Sequence, residues 1–250
     1  RGAPAISSAV GSLIAALDAF LLTGWGSITP LSVTVDGGIA TATVTSGNTF
    51  DAHAVVLIAG ATPAELNGEA RVLTSGETFI TFATLAADGP ATGTIVIKYA
   101  PQSSWEKVYA ATNKAAYRSN HVQASGHFLY VDDTTTQYAT VLGYEAMSGI
   151  STGTGPFPST TQMPAGGRWY KSAASSGSAA NRWQMFSDER FLITAISTNY
   201  YTNPSHTQGG VRCFGDLQPF APAGDVWSSV LSCAGTTIST YNGGLEHLVH

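Results

Sequence analysis

The chain opens on a helical pattern of apolar positions. Ile6, Val10, Leu13, Ile14, Leu17, Phe20 and Leu21 recur every three or four residues and share one face. Pro4 suits a first turn and Gly24 a stop, so an N-terminal helix is expected between them. Its opposite face is Ser, Ala and Gly with a single charge, Asp18. A helix this plain on its polar side is expected to be packed there too, either within its own chain or against another subunit. As a docking or oligomerisation segment (1–27) it has Ile6, Val10, Leu13, Ile14 and Leu17 as the candidate assembly interface. No basic region beyond Arg1 precedes it and Asp18 interrupts the apolar stretch, so it reads as structure and not as a signal peptide.

From residue 28 the period changes to two. Leu31 to Val35 and Ile39 to Val44 alternate around Asp36-Gly37-Gly38, a hairpin signature. Further short runs at Ala54–Ile58, Ala70–Leu73, Glu77–Phe82 and Thr94–Tyr99 make six expected strands over 28–101, the spacing of a small barrel or sandwich. Past Pro101 the chain turns aromatic. Phe128 to Asp133 and Tyr138 to Tyr144 form another expected hairpin, and strands are expected again at 168–170, 182–186, 191–196, 211–214 and 226–231. Gly and Pro punctuate 149–168, which reads as loop, and Ser172 to Ala180 contains only Ala, Ser and Gly, which reads as a flexible exposed loop. The expected fold is mainly β. It has the N-terminal helix, a six-stranded barrel or sandwich at 28–101, and a second antiparallel, sandwich-like β domain at 102–250.

Charge changes this picture most. Charged residues are 11% of the chain, against about 25% in an ordinary soluble domain. The net charge of −5 and the absence of a Lys/Arg cluster disfavour a nucleic-acid partner. The aromatic content of 10% argues against disorder, and no apolar run is long enough for a membrane span. With 30 Thr, 25 Ser and 27 Gly, the surface must be covered by small polar residues or by other subunits, as in a secreted or assembled protein. Cys213 and Cys233 match no zinc spacing and read as buried thiols, with a disulfide between them as the alternative.

Candidate chemistry is sparse. Gly149-Ile150-Ser151-Thr152-Gly153 matches the G-x-S-x-G elbow, but the Thr154-Gly155-Pro156-Phe157-Pro158 that follows cannot start the helix this motif requires. Asp132 and Asp133 read as turn formers, lacking the further carboxylates of a calcium loop. The six His residues, His247 and His250 included, show no metal-binding helix pattern. Nothing selects a glycosidase pair among the 16 acids. No catalytic, metal or cofactor residues are expected, and the chain is not expected to be an enzyme. Tyr200, Tyr201 and Trp169 are candidates for stacking on glycan, with core or interface packing as the competing reading.

Val55 to Glu69, with its Leu66-Asn67-Gly68 turn, and the Thr-Phe strand from Glu77 to Phe82 are similar to a small β-barrel module of structural proteins of tailed bacteriophages. Trp105-Glu106-Lys107, Thr112 to Ser119, Val131 to Thr134, Val141 to Met147 and Thr152 to Pro158 resemble phage and prophage virion proteins, and Arg1 to Pro4 followed by Gly11 to Ile14 fits the same group. The resemblance implies a multi-copy structural component of the virion, assembled in the host cytoplasm. It is expected to be tail-associated, as a baseplate, collar or fibre-attachment protein, with a capsid decoration protein or a receptor- or glycan-binding tail module as alternatives. Its expected partners are copies of itself and other virion proteins, with host-surface glycan as a further one. The resemblance implies no catalytic residues.

Overall fold

The computed structural model describes residues 2–45, 47, 50–173, 175–177, 179–198, 209–217, 228–235 and 247–249. The chain is mainly β, with one short N-terminal helix, and divides into two compact units. One comprises Arg1–Ala3 and Thr23–Pro101, the other Pro4–Leu22 and Gln102–His250.

The first unit is one antiparallel sheet curled around its own core. Its strands are β1 (Trp25–Ile28), β2 (Ser32–Asp36), β3 (Ile39–Thr43), β4 (Val55–Ala59), β5 (Gly68–Ser75), β6 (Phe79–Ala83), β7 (Gly89–Pro90) and β8 (Val96–Tyr99), in the order β1-β8-β4-β5-β6-β3-β2-β7. Alternation sets the register. Val33 and Val35 of β2, Ala40 and Ala42 of β3, and Val56 and Ile58 of β4 point inward, where they meet Ile80, Phe82 and Ile97. The sheet has eight strands where the pattern suggested six. The two additional ones, β1 and β7, are short and contain glycine, and each pairs with a single neighbour at an edge. Backbone crowding explains two glycines. A Cβ on Gly60 would lie 2.1 Å from the Thr94 carbonyl oxygen, and one on Gly93 would lie 2.2 Å from that of Gly60, each at positive φ. In β5 the register slips between Val72 and Thr74, so Leu73 is turned outward as a bulge.

The second unit packs two sheets and the helix around one core. A six-stranded sheet contains β9 (Trp105–Ala111), β10 (Lys114–Ser119), β11 (Phe128–Asp132), β12 (Tyr138–Gly149), β13 (Thr152–Phe157) and β14 (Gly167–Tyr170). The expected hairpin is present, with Phe128 opposite Tyr144 and Asp132 opposite Thr140. β12 runs past it and carries β14 along its first half and β13 along its second. The stretch expected to be loop thus holds an edge strand. Gly153 lies flat against the Tyr144 ring, and Pro156 is tolerated because an edge needs fewer backbone donors. The second sheet, β15 (Trp183–Ser187), β16 (Phe191–Ser197), β17 (Gly209–Leu217), β18 (Ser228–Cys233) and β19 (His247–Val249), is antiparallel throughout in chain order. The Ala/Ser/Gly stretch expected to be an exposed loop begins buried at Ser172, whose N–H donates to the Gln137 carbonyl.

The helix is shorter than its apolar period suggested. α1 spans Ser12–Asp18 and continues as a π-helical turn, Ala19–Thr23. Gly11 at φ 77 closes its start, and Ile6 lies in extended backbone, bridged to Asn181. Leu13, Ala16, Leu17 and Leu21 join the core formed by Tyr117, Leu129, Val131, Trp169, Leu192 and Phe214, so the helix belongs to the second unit. Leu17→Ala is therefore expected to destabilise the chain by about 2–5 kcal/mol. Val10→Ala, at a position 47% exposed, should change stability by less than about 0.5 kcal/mol. Urea unfolding curves of the two variants measure the contrast.

Candidate functional site

The face expected to serve as an assembly interface is consumed inside the second unit. Ile6, Leu13 and Leu17 have no solvent exposure, Ile14 packs half-buried against the same core, and only Val10 is open. The apolar stripe cannot serve a neighbouring chain while it fills this core. Trp169 is corrected likewise. It is fully buried and its Nε1–H donates to the Ser232 carbonyl at 2.7 Å, so it offers no face to a glycan. Tyr200 and Tyr201 lie outside the described residues. Cys213 and Cys233 are free and buried. Burial pushes both thiols up, Cys233 to about 11. Ser151 of the G-x-S-x-G match sits in the turn between β12 and β13, with a strand following it instead of a helix.

The strongest concentration of buried charge was hidden in the Asp132-Asp133 pair. Asp132 behaves as a turn former, with Oδ1 accepting the Thr134 N–H and hydroxyl while Oδ2 meets the Lys114 ammonium at 2.8 Å. Asp133 is one residue on, so the strand period sends it to the face of Leu129 and Val131, into the core. Lys171 follows β14 with the parity of Trp169 and arrives from the other side. Neither side chain has any solvent exposure, and the Lys171 Nζ donates to Asp133 Oδ1 and to the Ala9 carbonyl at 2.8 Å. Oδ2 of Asp133 accepts the N–H of Leu13 at 2.8 Å and, more weakly, that of Ile14 at 3.4 Å. The backbone joins in. The Gly11 N–H donates to the Asp133 carbonyl, Asp133 N–H to Asn113, and the Asn181 side-chain amide to the Lys171 carbonyl. Burial pushes the Asp133 carboxyl above its ordinary range, opposed by Lys171 and the two N–H donors. The helix is held at its other end too, where Asp18 accepts from Lys107 Nζ (2.6 Å) and from the Tyr117 hydroxyl (2.8 Å).

A second polar cluster joins the two sheets. Ser229 Oγ donates to Asp216 Oδ1 and contacts His127 Nδ1 at 2.7 Å, while Ser125 donates to both Asp216 oxygens through its N–H (2.6 Å) and hydroxyl (2.7 Å). The residue types are those of a hydrolase triad, but their order differs. The carboxylate receives the serine proton directly instead of orienting the imidazole, so the histidine is not set as the serine's base. On the outer face of the six-stranded sheet Tyr109, Phe128, Tyr130 and Tyr144 form a further aromatic cluster, with the Arg118 guanidinium 5.2 Å from the Phe128 ring. Sequence parity could have marked Asp133 and Lys171. Nothing local could have marked Ser125, His127, Asp216 and Ser229, which lie far apart in the chain. Among the described residues no three His, Cys, Asp or Glu side chains are placed to hold a metal ion, and no helix is long and apolar enough to cross a membrane.

No protein-family model matches the chain, and no curated protein or solved structure is significantly similar to it.

Removing one partner of a buried pair strands the other charge, so Lys171→Met is expected to cost about 3–5 kcal/mol at neutral pH. The sign with pH follows from the raised carboxyl. With Lys171 removed, burial holds the Asp133 proton more tightly in the folded chain than in the unfolded one, so this carboxyl lowers the variant's stability as pH rises above the carboxylate range. The urea midpoint of Lys171→Met should therefore rise from neutral to about pH 5 by more than the wild-type midpoint does. An equal response in both chains would contradict this electrostatic account. Separately, both thiols should resist iodoacetamide in the folded chain at neutral pH and react fully once unfolded, as read by adduct mass.

Proposed function

We propose that this chain is a structural, multi-copy, tail-associated component of a tailed-bacteriophage particle that assembles through uncharged sheet faces. The observation that carries the reading is the outer face of the first unit. Thr34, Thr41, Thr81 and Thr74 stand in register across four neighbouring strands, β2, β3, β6 and β5, and the Thr74 and Thr81 hydroxyls are 2.6 Å apart. Ile39, Phe79 and Leu73 beside them are about 40% exposed. Across β2, β3 and β6 the outward positions hold one charge, Asp36, at the hairpin turn. A solvated sheet face normally carries Lys and Glu. This one has the composition of a surface that a neighbour covers, with aligned hydroxyls to bond and apolar residues to bury. The resemblance of Val55 to Glu69 and of the 105–158 stretches to phage particle proteins supports the choice of particle.

Sedimentation velocity over a concentration series tests the assembly. The wild-type chain should form a discrete oligomer or a growing polymer, and Thr41→Lys, which puts a charge at the centre of the Thr row, should shift it towards monomer. A wild-type chain that stays monomeric at high concentration, together with no labelling of purified particles by an antibody to it, would overturn the reading. Copy number per particle separates a tail part, present in few copies, from a capsid decoration protein present in many.

A further inference from the structure

We propose that Lys171 and Asp133 close an intramolecular isopeptide bond, an amide between Nζ and Cγ that ties the end of β14 to the residue after β11. Three features carry this. Neither side chain has solvent exposure, so no water layer separates amine from carboxyl. Nζ is in hydrogen-bond contact with Oδ1, next to the carbon it must reach. Groups held this way react at effective concentrations of about 10⁵–10⁸ M when well aligned. The remaining oxygen, Oδ2, faces the N–H of Leu13 at 2.8 Å, with that of Ile14 behind it. These donors sit where negative charge gathers as an amine adds to the carboxyl carbon.

The step balances without a co-reactant. One proton moves from the Lys171 ammonium to Oδ1, leaving an amine and a carboxylic acid. The nitrogen lone pair forms the N–Cγ bond and charge passes to Oδ2. A second proton then moves from nitrogen to the Oδ1 hydroxyl, the Cγ–Oδ1 bond breaks, water leaves, and Oδ2 returns as the amide carbonyl. Nothing is oxidised or reduced. The product needs no new partners. Its N–H keeps the Ala9 carbonyl, which Nζ already meets at 2.8 Å, and its carbonyl keeps the Leu13 N–H. Two buried opposite charges become one neutral, hydrogen-bonded amide, which removes their desolvation penalty. The burial that raises the Asp133 carboxyl also favours the protonated acid from which the reaction proceeds.

The intact mass of the denatured full chain tests the bond. The wild-type chain should weigh one water less than its sequence, and Lys171→Met should have its full sequence mass. Trypsin should release a branched peptide joining residues 119–168 to 169–182, because an acylated Lys171 is no longer a cleavage site. The wild-type mass and peptide decide the matter even where the variant fails to fold. A wild-type chain at full mass, with Trp169–Lys171 released as a free peptide, overturns the proposal. So does a lost water without the branched peptide, as a succinimide at Asp36-Gly37 would produce.

Discussion

The second unit is organised around one buried pair of charges. Asp133 and Lys171 meet where α1 begins, where the β11–β12 hairpin turns and where β14 ends, and each backbone there hydrogen-bonds to another. Taking two charges out of water is unfavourable, and a well-packed apolar pair of the same size could be as stable. What the pair adds is uniqueness. An unpaired carboxylate or ammonium in this core is far worse than the matched pair, so packings that separate the partners are penalised. The short helix depends on this. With seven residues and no side-chain cap of its own at Gly11, it lies below the length at which isolated helices hold. It is held by Asp133 at one end, by Asp18 to Lys107 and Tyr117 at the other, and by Leu13, Leu17 and Leu21 between them.

Local alternation carried much of the fold. The β2–β3 and β11–β12 hairpins were legible because inward and outward residues differ in kind and the turns hold Gly, Asp or Thr. Strands β7 and β13 were not legible, because glycine and proline argue against strands unless a neighbour fills the space, as Tyr144 does over Gly153. The apolar stripe of the helix marks a packing face but does not identify what packs on it. Whether Leu13 and Leu17 meet another chain or residues more than a hundred positions away is decided by tertiary contacts, which periodicity does not encode. The same limit applied to Trp169, whose burial depends on Ser232 and its neighbours. Asp133 was the recoverable case. Reading it as a turn residue weighed its type over its parity, and parity placed it beside Leu129 and Val131.

The scarcity of charge can now be divided between interior and surface. Few basic residues were available, and the second unit engages many of them internally. Lys171 is buried, Lys107, Lys114 and Arg118 pair with Asp18, Asp132 and Glu106, and Arg168 lies 4.0 Å over the Tyr138 ring. The exposed pairs add little stability on their own, but a cation held against an anion contributes little net field at a distance. Within each pair the charges cancel, so the net charge of −5 is carried by the remaining charges. On the first unit the uncharged outward positions are concentrated on β2, β3 and β6, whose inward side belongs to a core of Val, Ile, Ala and Phe. A sheet whose inner face is filled and whose outer face carries hydroxyls and exposed Ile and Phe has no internal use for that outer face. Contact with another chain would bury its apolar residues and satisfy its hydroxyls together, with shape and backbone pairing selecting the partner where charge steering is weak.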